Sequence, residues 1–197
     1  PVWQWDLAEG KSVAVSTFAA VADLLDEYDF VFCHNESVLY EWVEEYEPAL
    51  FERIKAHVKS GKWRIMGGWY LQPDCNIPSA ESIARHALVG REYFAEKFGI
   101  DKNKIALMGS SAGGHLTAFT ATYTETIDFE GADAIDKEDF LPNAQILCYP
   151  VINLYNRDIA NIGSGNNLIG DVYDETNDEE TRRKFSPNLL VKETTPQ

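Results

Sequence analysis

The sequence predicts an α/β fold, a parallel-stranded sheet with flanking helices, and three observations predict it. Short apolar runs of strand length, at 30–33, 63–66, 105–108 and 144–149, alternate with longer stretches of helical periodicity. One strand-to-helix junction reads Gly109-Ser110-Ser111-Ala112-Gly113, a G-x-S-x-G turn. The chain, 197 residues and 45% hydrophobic, is long enough to bury a core in one large or two small domains.

Taken in order, an aromatic opening, Trp3 to Leu7, leads into a helix over about 11–28 with Val15, Phe18, Val21, Leu24 and Leu25 on one face. Phe30 to Cys33 reads as a buried strand. Ser37 is placed to cap a helix carrying Leu39, Trp42 and Val43. Pro48 restarts helix through Val58, and Gly61 ends it. Trp63 to Met66 is the next strand, and Gly67 to Asn76 is a loop too aromatic and too polar for a mere linker. Ser79, with Ser82 three residues on, caps a helix reaching Phe98.

Ile105 to Met108 then forms a strand, and Leu116, Phe119 and Tyr123 mark the helix after the turn. Ala144 to Tyr149 is a further strand ended by Pro150, and Thr181 to Phe185 a short helix. No internal repeat appears.

The G-x-S-x-G stretch carries the chemistry. A serine at the tip of a sharp turn holds strained backbone angles, and small neighbours let strand and helix pack closely. Ser111 is the candidate nucleophile, because the flanking glycines centre on it rather than on Ser110. The Ala112 amide, at the start of the helix, is the candidate oxyanion donor, aided by the helix dipole. Gly113 and Gly114 are expected to keep the first turn slim. The alternative is a Gly/Ser-rich connector with no chemistry.

A formal charge of −15 disfavours nucleic acid or an anionic membrane as partner. Cys33, Cys75 and Cys148 form no C-x-x-C pair, so reduced, buried thiols and a cytoplasmic setting are expected. No signal peptide or transmembrane run is visible. His34, His57 and His86 lack metal-site spacing and read as structural or solvated, and Glu44, Glu45 and Glu47 as a solvated face.

Residues 1–98 resemble part of the catalytic domain of glycoside hydrolase family 38, the α-mannosidases. The resemblance rests on VWQWDLAE, on YEWVEEYEPALFERIKAHVKSGKW and on GGWYLQPDCNIPSAESIARHALVGREYFAEKFG. It implies a segment of an α/β barrel in which a zinc ion grips sugar hydroxyls and a ligand aspartate attacks in a retaining mechanism. Zinc is expected only if that half is complete. The family's His-x-Asp ligands fall ahead of Pro1, and KIALMGSSAGG stands where its D-x-F-G strand is expected. Trp3 and Asp74 are the substrate-side candidates carried over. Trp3 is equally a core aromatic, and Asp74 with Asn76 equally an Asx-type turn.

From Gly99 onward the resemblance changes to the α/β-hydrolase esterases of the acetylxylan-esterase or lipase-like kind. It rests on the elbow, ILCYPVINL, NNLIGD and RRKFSPNLLVKETTPQ. It implies a serine carboxylesterase acting on acylated carbohydrate or small esters, with no cofactor. His115 belongs to the GGH run as a packing residue. The triad Asp and His of that family fall beyond these residues, so neither is assigned and impaired activity is expected.

The whole is therefore expected to be built from two incomplete α/β fragments, 1–98 and 99–197, joined near Phe98-Gly99 in the manner of a chimera. Unpaired sheet edges follow unless the strands combine, and an oligomer is a possible outcome. Three functions remain: a serine esterase, a zinc-dependent α-mannosidase fragment, and an inactive carbohydrate-binding or scaffold module.

Overall fold

The structure is a computed structural model that describes residues 5–72, 76–101, 103–123, 141–170 and 179–196. The chain divides into two compact units, Pro1–Lys102 and Asn103–Gln197.

In the first unit the order is α1 (Leu7–Glu27), β1 (Phe32–His34), α2 (Ser37–Tyr46), α3 (Pro48–Ser60), β2 (Trp63–Ile65) and α4 (Ala80–Phe98). β1 and β2 pair in parallel with Phe32 opposite Trp63 and His34 opposite Ile65. The helices start and stop where side chains or glycine satisfy the terminal backbone groups. The Asp6 carboxylate accepts the Glu9 amide at 2.9 Å, and the Ser79 hydroxyl accepts that of Ser82 at 3.2 Å. Gly61 and Gly99 end α3 and α4 in the left-handed region.

The core of this unit is aromatic. Phe18, Tyr40, Trp63 and Phe94 are buried together, with Tyr40 5.0 Å from Phe18 and 5.4 Å from Phe94 between ring centres. The buried Trp63 indole donates to the Tyr40 hydroxyl at 2.8 Å, and burial holds that phenol well above its usual range. From α1, Phe18 and Leu25 reach the core, whereas Leu24 turns outward.

Ser37 departs from expectation. It lies inside the first turn of α2 with Glu36 at the cap position, and no side chain caps the helix. Loop carbonyls do so instead: the Ser37 and Val38 amides donate to Trp69 and Tyr70 at 3.0 and 3.1 Å. Phe30 and Val31 lie outside β1 and are exposed. Cys33, expected buried, is exposed, because Phe32 and His34 on either side of it face the aromatic core and period 2 turns Cys33 to the other side.

The loop after β2 is fixed from three sides. The Tyr70 amide donates to the His86 carbonyl at 2.8 Å, the Leu71 amide to His86 Nδ1 at 3.1 Å, and the Gln72 amide to the Glu36 carboxylate at 3.1 Å. Gly90 permits this, since a Cβ there meets the Gly68 carbonyl oxygen at 2.2 Å.

In the second unit the order is β3 (Ala106–Ser110), α5 (Ala112–Thr122), β4 (Ala144–Cys148), α6 (Ile162–Ile169), α7 (Glu179–Lys184) and a 3₁₀ turn, Pro187–Leu189. β3 and β4 are parallel, running from Ala106 opposite Ala144 to Ser110 opposite Cys148. The fold is thus α/β with parallel strands, arranged as two separate two-stranded sheets among the described residues rather than as one.

α5 buries Gly114, His115, Thr117, Ala118, Ala121 and Thr122. Leu116, one of the apolar residues that mark this helix, is 66% exposed. Small residues face the sheet because the helix backbone rests directly on the strand. Phe119 stacks on Phe185 at 5.7 Å, and the Ser186 hydroxyl, buried, accepts the Leu154 amide at 2.9 Å while donating to the Arg182 carbonyl at 2.7 Å. These contacts tie the last helix and turn to the segment after β4.

Candidate active site

β3 ends at Ser110, α5 begins at Ala112, and Ser111 is the whole of the connection. Its backbone lies at φ 53° and ψ −115°, a left-handed conformation that side chains adopt at a cost of about 1–3 kcal/mol. The surroundings enforce that turn. The Ser111 amide donates to the Cys148 carbonyl at 3.0 Å, and the Ser111 carbonyl accepts the His115 amide at 3.0 Å.

Close approach explains two of the glycines. A Cβ on Gly109 meets the Gly113 carbonyl oxygen at 2.1 Å, and one on Gly114 meets Pro150 Cβ at 2.9 Å. Gly113 is different: a Cβ there has nothing within 4 Å, so the slimness of the first turn rests on Gly114 alone.

Ser111 is exposed, and its hydroxyl has no hydrogen-bond partner among the described residues. Its own amide is taken by Cys148, whereas the Ala112 amide, like those of Gly113 and Gly114 in the first turn of α5, has no acceptor among the described residues. An oxyanion beside Ser111 would meet the Ala112 amide and the positive end of the helix dipole.

His115 is occupied elsewhere. Its Nδ1 lies 2.6 Å from the Val151 carbonyl oxygen, which can only accept, so Nδ1 carries the proton. The ring is buried and stacks on Phe119 at 6.0 Å. It fixes the segment after β4 against α5.

Trp3 and Asp74 lie outside the described residues, as does Cys75. The other histidines are structural. His34 sits in the aromatic core, edge-on to Phe18 at 4.9 Å, and burial lowers its pKa to about 4. His57 is buried with Nε2 3.0 Å from the Asp26 carboxylate, and His86 accepts the Leu71 amide. Glu45 and Glu47 are solvated, but Glu44 is not. It takes Lys97 Nζ at 2.7 Å and the Tyr93 hydroxyl at 3.1 Å, clamping α4 to α2. The α2 periodicity could not show this, because the partners lie some fifty residues away.

A concavity of about 190 Å³ lies in the first unit among Trp5, Ala14, Phe18, His34, Glu36 and Leu39. Sequence reasoning passed over it. The available signal was the polar His34-Asn35-Glu36 run directly after an apolar strand. Among the described residues no three His, Cys, Asp or Glu side chains converge as metal ligands.

Two family models match. The glycosyl hydrolases family 38 N-terminal domain covers residues 1–110 and BD-FAE covers residues 71–197. Alpha-mannosidase G of Dictyostelium discoideum is 34% identical over 98 residues, 49% of this chain and 9% of that protein. The alpha-mannosidase of Saccharomyces cerevisiae is 27% identical over 113 residues, 56% of this chain and 10% of that protein. The chain thus spans about a tenth of the length of these relatives.

Among solved structures, the acetyl ester-xyloside bifunctional hydrolase of Caldicellulosiruptor lactoaceticus is 25% identical with a TM-score of 0.45, over 85% of this chain and 59% of that one. The two family matches overlap across 71–110, the stretch that holds α4 and β3. The chain is of hydrolase lineage and two-part character, belonging to glycosyl hydrolase family 38 through residues 1–110 and to the BD-FAE family through residues 71–197.

Proposed function

We propose that the second unit is a serine carboxylesterase segment acting on small or carbohydrate esters, with Ser111 as nucleophile and the Ala112 amide as oxyanion donor. The observation that carries this reading is the Ser111 backbone, φ 53° and ψ −115°, which sets an exposed hydroxyl at the junction of a parallel strand and a helix N-terminus. In the reaction Ser111 Oγ bonds to the acyl carbon, the alcohol leaves with a proton, and water releases the acid from the acyl-serine.

The described residues hydrogen-bond no imidazole or carboxylate to that hydroxyl, so slow turnover is expected from them. A fluorophosphonate tests the nucleophile directly, because Oγ–P bond formation expels fluoride and leaves a stable mass on one peptide. Labelling that maps to Ser111 and vanishes in Ser111→Ala supports the reading. An intact esterase labelled in the same tube beside an unlabelled Ser111 refutes it.

A second reading, a fragment of a zinc-dependent α-mannosidase with sugar binding near Trp3 and Asp74, is favoured by the family 38 match and by the relatives' names. Stoichiometric zinc by elemental analysis separates it from the esterase. A third, a binding module without catalysis, expects glycan affinity that survives Ser111→Ala. The partner in each is a small molecule or carbohydrate, since a charge of −15 opposes nucleic acid. The unpaired Cys33 and Cys148 support a cytoplasmic setting. No helix among the described residues is long and apolar enough to cross a membrane.

A further inference from the structure

Beside Ser111 the structure holds a second strained residue that the elbow does not require. Ser110 and Cys148 are opposite each other in the parallel ladder, so Ser111 and Tyr149 leave the two strands side by side. They are the two non-glycine residues with positive φ among the described residues, Ser111 at 53° and Tyr149 at 38°. Bulky aromatic residues avoid this region, where glycine or asparagine is cheaper. The fold alone therefore does not account for a tyrosine there.

Nor does packing account for it. Tyr149 is 77% exposed, and its ring and hydroxyl have no partner among the described residues. Its backbone, by contrast, is fixed on both sides. The Cys148 carbonyl before it accepts the Ser111 amide at 3.0 Å, Pro150 after it rests on Gly114, and the Val151 carbonyl is 2.6 Å from His115 Nδ1. A strained main chain pinned at every neighbouring residue presents a ring that is free on the surface. Strain retained without a structural return points to function.

On the reading of Ser111 as nucleophile, we infer that Tyr149 is a specificity-determining residue whose ring forms a shelf beside the serine for a ring of the ester substrate. The negative face of the phenol attracts the C–H edges of an aryl or a pyranose ring, so the ligand class is a ring-bearing ester. Because the backbone is preorganised, little entropy is lost when the ring is used.

The full chain is labelled with an O-ethyl fluorophosphonate and with its O-phenethyl analogue, and the preference for the phenethyl probe is compared in wild type, Tyr149→Phe and Tyr149→Ala. In parallel, ring-labelled tyrosine is followed by NMR while phenyl acetate or an acetylated methyl glucoside is added, Tyr149→Phe supplying the assignment. The expected result is a preference that survives in Tyr149→Phe and falls about 3- to 10-fold in Tyr149→Ala, the size of one aromatic contact, with a ligand-induced shift of the Tyr149 signal. Which ester moves the signal tells an aryl from a sugar ring. An unchanged preference in Tyr149→Ala with Ser111 labelled overturns the shelf and leaves the nucleophile standing. A shifted Tyr149 signal with Ser111 unlabelled does the reverse, and neither labelling nor shift removes both.

Discussion

Gly109→Ala and Gly113→Ala are the same chemical change at two glycines of one motif, and the structure assigns them opposite outcomes. At Gly109 the new Cβ falls 2.1 Å from the Gly113 carbonyl oxygen, 2.3 Å from its carbon and 2.6 Å from Thr117 Oγ1. Two of these atoms are backbone, so relief requires α5 to move off β3 by roughly 1 Å, an overpacking that costs about 3 kcal/mol. At Gly113 there is nothing within 4 Å and the residue is helical. Alanine there gains helix propensity of up to about 1 kcal/mol.

All five tryptophans lie in the first unit, so indole fluorescence does not report on this change. Hydrogen exchange resolved to peptides covering β3 and α5 does. Protection there is expected to collapse in Gly109→Ala and to hold or rise in Gly113→Ala. Equal protection in the two variants, or a greater loss in Gly113→Ala, refutes the packing of α5 on the Gly109 face.

Other changes test other parts of the molecule. Tyr40→Phe strands the buried Trp63 indole N–H, so the urea midpoint followed by tryptophan fluorescence should drop by an amount equivalent to about 1–3 kcal/mol. His34 has a folded-state pKa near 4 against an unfolded value near 6.5, so the unfolded chain binds the extra proton between these limits and stability falls as pH falls through that window. The loss is about 3 kcal/mol by pH 4, and His34→Phe should flatten the slope measured by urea titration between pH 7 and pH 4. Ser111→Gly should abolish phosphonate labelling yet raise the stability of the second unit by about 1 kcal/mol, read as slower exchange in β3 and α5.

Much of the architecture was legible because it follows from local rules. The caps at Ser79 and Gly61, Pro48 at the start of α3 and the strand-turn-helix at Ser111 each rest on residues within a few positions of one another. What escaped the sequence depends on distant partners. Ser37 looks like a cap until the Trp69 and Tyr70 carbonyls take its role, and Glu44 looks solvated until α4 brings Tyr93 and Lys97 to it. On α5 the spacing of large residues marked the helix but not its contact face, because Gly109 admits the helix backbone so closely that small side chains occupy the contact and Leu116 is turned out. Tyr149 gave no signal, since positive φ at a tyrosine is a property of the fold around it.

The conformation of Ser111 bears on whether the elbow is inherited chemistry or a connector. Its angles, φ 53° and ψ −115°, invert to the extended region that any residue occupies freely, so glycine would hold the same turn without strain. A connector needs only the turn. Gly109 and Gly114 already show that glycine stands where the backbone demands it, on either side of the position that keeps a hydroxyl. The same contrast applies at Tyr149, where strain accompanies an exposed aromatic ring. Two neighbouring departures from the cheapest residue, both projecting exposed side chains from the ends of paired strands, favour the proposed substrate site over a linker.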